Sequence, residues 1–290
     1  MSPNLPGRRV DTTTGEEARF VPHRLRLSFG YSVTLLNRKR SGVDVAPNPL
    51  GERVIGNTLL LGVDYDLLAG VSFGTSLPLG FLSVRSAGNT TQITGLGDLD
   101  LWVRFDTKAF YPKRRWVPSF RLRLGASFPT GKSVTSVAGE ASNQLTIGHG
   151  TYDLHLGLSI LWQPKPRWAL FGFLSWQRPL NEGRELTLGQ QLSYGLGGSL
   201  SALEWLAFRL SIEAEHVFRS REPGEGTLLN SGGDTIYAVP AIDFHPARGL
   251  RISIDGRVPA YQFVHGTQLV PRFVISVGLS YRFASFARTR

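Results

Sequence analysis

Apolar and polar residues alternate along most of the chain with a period of two, and the alternation breaks and resumes about twelve times. Between His23 and Leu36, Leu25, Leu27, Phe29, Tyr31, Val33 and Leu35 share one parity. Arg24, Arg26, Ser28, Gly30, Ser32 and Thr34 share the other. Successive side chains of a strand point to opposite faces, so this segment is a strand with one greasy and one polar side. Near the other end, Phe273, Ile275, Val277, Leu279, Tyr281 and Phe283 alternate with Arg272, Ser276, Gly278, Ser280 and Arg282 in the same way. The pattern and its turn signals predict strands near 23–36, 55–67, 70–84, 97–106, 118–128, 151–162, 168–177, 187–200, 204–218, 235–245, 249–258 and 271–283. In the seventh, Phe171 and Phe173 compete with Trp168, Leu170, Leu174 and Trp176 for the apolar face.

The connections alternate in length. Segments 37–54, 85–96, 129–150, 178–186, 219–234 and 259–270 are long. Those near 68–69, 163–167, 201–203 and 246–248 are short, and only 107–117 spoils the contrast. An even number of strands with long loops on one side and tight turns on the other is the pattern of a transmembrane β-barrel. The expected fold is therefore all-β: a single antiparallel transmembrane β-barrel of about twelve strands, up-and-down in topology, over residues 23–283. Flexible tails are expected at 1–22 and 284–290.

A soluble sandwich also alternates, but its strands average about 5–6 residues, and these are about twice as long. Trp116, Trp162, Trp168 and Trp205 all lie beside the short connections, where an interfacial aromatic girdle belongs. The mean hydropathy of −0.07 conceals any membrane signal, because a barrel dilutes its apolar residues with polar ones. No stretch approaches the roughly 20 apolar residues of a membrane helix, which leaves a barrel as the way across lipid. The chain has no cysteine, which excludes disulfides and cysteine-based chemistry. Met1 to Val10 has no apolar run of the secretory type, and the expectation is a bacterial outer-membrane protein whose signal has been removed.

Parity assigns as many acids as bases to the inner wall, so the formal charge of +10 belongs mostly to loops, turns and tail. The candidate lumen-lining and selectivity residues are Asp98, Asp100, Arg104, Arg121, Arg123, Asp153, His155, Arg209, Glu213, Glu215, Arg251, Asp255 and Arg257. One reading pairs these charges to avoid the cost of burying them alone. The other makes them a selectivity surface of facing charges. A connection centred near 111–112 would put Asp100 directly opposite Arg123 or Arg121. Arg38, Lys39, Arg40, Lys113, Arg114 and Arg115 are expected to meet lipid headgroups or lipopolysaccharide. No recognition motif accompanies the arginines, which argues against nucleic acid.

Enzymatic readings are weak. His155 and Ser159 share a face but stand about 13 Å apart along a strand, too far for a base and nucleophile. Asp153 and His155 are same-face neighbours without an identifiable third metal ligand. Gly95-Leu96-Gly97 lacks the third glycine of a dinucleotide fingerprint. No catalytic residue, metal or cofactor is expected.

Gly95-Leu96-Gly97-Asp98-Leu99 entering one strand, and Phe128-Pro129-Thr130-Gly131-Lys132 ending the next, resemble the outer-membrane proteins grouped with the meta-pathway of phenol degradation. Ser76-Leu77-Pro78-Leu79-Gly80 is compatible with that pattern, which covers residues 70–132 best. The resemblance implies a channel for small, often aromatic or hydrophobic molecules. Gly278-Leu279-Ser280-Tyr281-Arg282-Phe283 resembles the C-terminal signal read by the bacterial barrel-assembly machinery. The leading expectation is passive transport of small solutes, by a monomer or a homo-oligomer. The alternatives are a structural or assembly barrel with an occluded lumen that binds partner proteins and, at lower weight, a membrane-embedded hydrolase.

Overall fold

The computed structural model describes residues 22–67, 70–111, 116–131, 147–148, 150–180, 187–222 and 226–283. Both expected tails, apart from Pro22, lie outside these, as do Lys113, Arg114 and Arg115. The strands are β1 (Arg24–Gly42), β2 (Asp44–Ala46), β3 (Arg53–Asp66), β4 (Val71–Ser86), β5 (Asn89–Leu96), β6 (Leu99–Asp106), β7 (Ser119–Phe128) and β8 (Asp153–Lys165). They continue with β9 (Trp168–Pro179), β10 (Gln191–Leu203), β11 (Leu206–Val217), β12 (Arg221–Glu222), β13 (Gly226–Thr227), β14 (Gly233–Ala247) and β15 (Leu250–Arg282).

Among the described residues, thirteen strands form one antiparallel sheet that β1 closes by pairing with β15. Closure leaves no sheet edge in the wall, which is what a strand structure needs in lipid. β15 crosses the wall twice. Its first half runs against β14 from Leu250 opposite Ala247 to Val264 opposite Gly233. Its second half runs against β1 from Val264 opposite Gly42 to Arg282 opposite Arg26. Both pairings are antiparallel, so the chain reverses near Gly266, whose φ of +65° is the left-handed conformation glycine tolerates. The Arg282 amide donates to the Gly249 carbonyl at 2.8 Å, which places the far ends of the two halves side by side. Counted as crossings, β5 and β6 make one, β15 two and β2 none, which gives twelve among the described residues.

The outer face is apolar at the expected parity. Phe29, Leu61, Leu101, Leu122, Leu124, Leu156, Leu158, Leu196, Leu210, Ile212, Ile254, Ile275 and Val277 are all exposed, as are the four short-turn tryptophans. In a soluble protein such a continuous belt would be an aggregation surface; here it is the lipid-facing band.

Three connections differ from expectation. Residues 85–96 form a β4–β5 hairpin, turned by Ala87 and Gly88 with φ of 50° and 83°, the positive pair a type I′ turn requires. Residues 259–270 lie wholly within β15. At the short-turn end, β8 continues to Lys165, which pairs with Trp168 across Pro166 and Arg167. Pro164 falls where that pairing shifts register, a place suited to a residue without an amide proton.

Bulges also override parity. The β1–β15 register skips Asn37 and Arg272, which leaves Arg272 exposed rather than inward. It also turns Lys39 into the wall, where its ammonium lies 3.0 Å from the Glu52 carboxylate, with both side chains buried. Lys39 is therefore an internal ion-pair member and not a headgroup contact. The lumen itself is not polar throughout. Toward the long loops, Leu36, Val54, Leu82, Val84, Ile93 and Ile147 form a buried apolar cluster inside the barrel.

Candidate functional site

The central lumen is built from inward positions on most of the strands. Toward the short turns its charges are paired. Asp64 lies 3.1 Å from Arg26 and 3.8 Å from Arg104, and Asp66 lies 3.4 Å from Arg104 and 3.9 Å from Arg24. Arg121 meets Asp106 at 2.8 Å. Asp243 is shared by Arg251 at 2.9 Å and Arg209 at 3.7 Å. Farther round, Arg257 meets Glu213 at 3.1 Å and lies over the buried Tyr237 ring, and Gln191 donates to Glu215 at 3.0 Å. Asp255 is buried. Pairing at these distances offsets much of the cost of placing the charges inside.

The expected opposition of Asp100 with Arg123 or Arg121 is not what the register shows. Asp106 faces Arg121, Arg104 faces Arg123, and Asp100 faces Ser127. The cause is the 3-10 turn Thr107–Ala109, capped by the Asp106 side chain, which accepts from the Lys108 amide at 2.8 Å. That turn lets β7 start beyond the end of β6, with Ser119 Oγ and the Phe120 amide bonded back to Asp106 and Thr107 at 2.8 and 2.9 Å. The inward parity of Asp100, Arg121 and Arg123 is retained; only their alignment changes.

Arg123 stacks over the Trp102 ring at 3.9 Å. Trp102 is inward and buried, and it lies over Gly74 on the neighbouring strand, where a Cβ would overlap the indole. The same device admits two more aromatics: Phe171 lies against Gly197 and Phe173 against Gly195. This resolves the ambiguity of the seventh strand in favour of Leu170 and Leu174 outward. Trp102 was open to discovery in the sequence, since it shares the parity of Asp100 and Arg104. Gly74→Val should displace the indole, lower stability by about 1–3 kcal/mol through overpacking, and shift the Trp102 emission. Denaturation and fluorescence, with Trp102→Phe as the reference, check this.

His155 Nε2 lies 2.5 Å from Ser127 Oγ across the β7–β8 ladder and 3.7 Å from Asp100. Same-strand spacing toward Ser159 missed this contact. Ser127 donates to Asp100 in turn, and among the described residues His155 Nδ1 has no hydrogen-bond partner, so none of their acids orients the imidazole as in a Ser–His–acid triad. Asp153 accepts from Thr151 Oγ1 and Gln177 Nε2, each at 2.6 Å. Among the described residues no three acids or histidines gather as a metal site.

The segments that carry the family resemblance meet in space. Thr130 Oγ1 accepts from the Leu99 amide at 2.9 Å and donates to the Gly97 carbonyl at 3.1 Å. The buried Asp98 carboxylate accepts from the Gly131 amide at 3.0 Å and the Gly150 amide at 3.3 Å. Asp98 sits where the wall bulges between β5 and β6, and there it ties the start and end of the 129–150 connection to the barrel. Ile147 then packs over Gly80, where a Cβ would overlap it.

Between the ion pairs and the apolar cluster lies a cavity of about 250 Å³. Of the thirteen expected lumen residues, Arg104, Arg121, Arg123, His155, Arg209 and Arg251 line it, joined by Arg26, Asp64 and Trp102. The other seven, including Asp98 and Asp100, do not.

A closed antiparallel barrel with an apolar belt and a paired, polar wall defines a transmembrane β-barrel of the outer-membrane type. The structure is similar to an outer membrane channel from Pseudomonas putida F1, with TM-score 0.75 and 12% identity over 94% of this chain and 100% of that one. It is also similar to the translocator domain of the autotransporter NalP from Neisseria meningitidis, with TM-score 0.50 and 10% identity over 94% and 90% of the two chains. No protein-family profile and no curated protein sequence matches the chain.

Proposed function

We propose that the protein is an outer-membrane channel for passive movement of small solutes, with hydrophobic or aromatic molecules as its class. The observation that carries this reading is the cavity of about 250 Å³ within the closed wall, lined by arginines and small residues together with several leucines and one buried tryptophan. A barrel serving only as scaffold has no need of an internal space of that kind. The fold shared with an outer membrane channel supports the reading, and the resemblance in residues 70–132 supports the solute class. In this reading lipid covers the apolar belt, lipopolysaccharide meets the outer rim, and the barrel-assembly machinery inserts the chain.

The test is flux and conductance. Full-length protein in planar bilayers should give single-channel steps, and proteoliposomes should release a small entrapped aromatic faster than protein-free vesicles. Folded protein that gives neither conductance nor release overturns the channel reading and leaves an occluded, partner-binding barrel.

A further inference from the structure

The wall of the central cavity is lopsided in charge. Six arginines reach it (Arg26, Arg104, Arg121, Arg123, Arg209 and Arg251) against a single acid, Asp64. Carboxylates that pair with these arginines on Asp66, Asp106 and Asp243 do not line the space. Asp64 serves both Arg26 and Arg104, and Asp243 serves both Arg209 and Arg251. These acids hold arginines in place, and the six arginines with Asp64 make up the charged part of the lining.

This arrangement has a definite chemical complement. A guanidinium offers a planar fork of N–H donors that matches a carboxylate, and it is weakly hydrated, so it exchanges water for an anion at low cost. Enclosure strengthens that attraction, because the effective dielectric inside a protein is far below that of water. Beside the arginines, Trp102 and Leu60 supply an apolar surface, and Arg123 already stacks on the indole. The cavity is smaller than the ~300–1,000 Å³ pockets of drug-sized ligands, so its occupant is a small molecule.

We infer that the cavity binds a small organic anion, in its simplest form an aromatic monocarboxylate, with the carboxylate on the arginines and the ring on Trp102. The inference deepens the channel reading and rests on it for the solute's route. It adds a charge preference that an apolar solute class alone would not require.

Four probes separate the elements. Benzoate, benzyl alcohol and benzylamine share a ring and differ in charge, and acetate shares the carboxylate without the ring. In equilibrium dialysis of full-length protein in detergent at neutral pH, benzoate should bind at least tenfold tighter than each of the other three. Trp102→Leu should weaken benzoate severalfold and leave acetate unchanged. Arg104→Gln/Arg123→Gln should abolish the preference of benzoate over benzyl alcohol, while Arg123→Lys should keep part of it. Circular dichroism establishes that each variant is folded, and the probe series on the unmodified protein decides the question even if the double variant fails to fold. Equal binding of benzoate and benzyl alcohol, or of benzoate and acetate, overturns the inference. Flux distinguishes the two readings: benzoate bound but not transported overturns the channel, whereas transport of all the ring probes at equal rates overturns the anion preference.

Discussion

Asp106→Ala should lower the folding free energy of the barrel by about 3–5 kcal/mol, the range for removing one partner from a buried ion pair. The Asp106 carboxylate is 6% exposed and the Arg121 side chain 7%, with Nε 2.8 Å from Oδ2. The same carboxylate accepts from Ser119 Oγ and from the Lys108 amide, each at 2.8 Å. Its loss therefore strips a buried cation of its closest carboxylate, uncaps the 3-10 turn and frees the start of β7. Denaturant titration in lipid vesicles measures the change as a shift in midpoint. The double variant Asp106→Ala/Arg121→Ala should cost less than the two single changes together, with a coupling of about 0.5–3 kcal/mol. A single-variant cost below about 1 kcal/mol would show that the pair does not hold the β6–β7 corner.

Leu124→Arg should cost about 2–4 kcal/mol, the penalty for a charge on the lipid face near the midplane. Leu124 points outward from β7 between Val103 of β6 and Leu156 of β8, and it is exposed. Gly30→Ser on the inner face is the matched control. A Cβ at Gly30 meets only Leu60 Cβ, at 3.5 Å, which is ordinary contact, so the change should stay within about 0.5 kcal/mol. Titration in bilayers reads both. Equal tolerance at the two positions would contradict lipid contact at Leu124, since only a hydrocarbon exterior penalises the guanidinium so heavily.

What the sequence determined by itself is the face of each strand residue. The two-residue period is a local property of extended chain, and the apolar solvent demands one parity outside. Hence Leu124, Ile212 and Ile275 were legible as lipid-facing, Arg104, Arg121 and Arg123 as lumen-facing, and Trp162, Trp168 and Trp205 as a girdle at the short turns. Only the tertiary structure decided which inward residues meet. Register depends on how a connection spends its residues, and the Thr107–Ala109 turn moved the β6–β7 alignment so that Asp106, not Asp100, faces Arg121. Bulges add one residue and invert parity beyond them, which is why Lys39 turned inward to Glu52. Inward aromatics depend on a partner strand that supplies glycine at the right height, as Gly74 does for Trp102. The meeting of Asp98 with Gly131 and Gly150 follows from the pairing of β6, β7 and β8, and that of six arginines around one cavity follows from closing the sheet. Closure brings together residues far apart in the chain, and a period of two carries no information about their height or angle around the barrel.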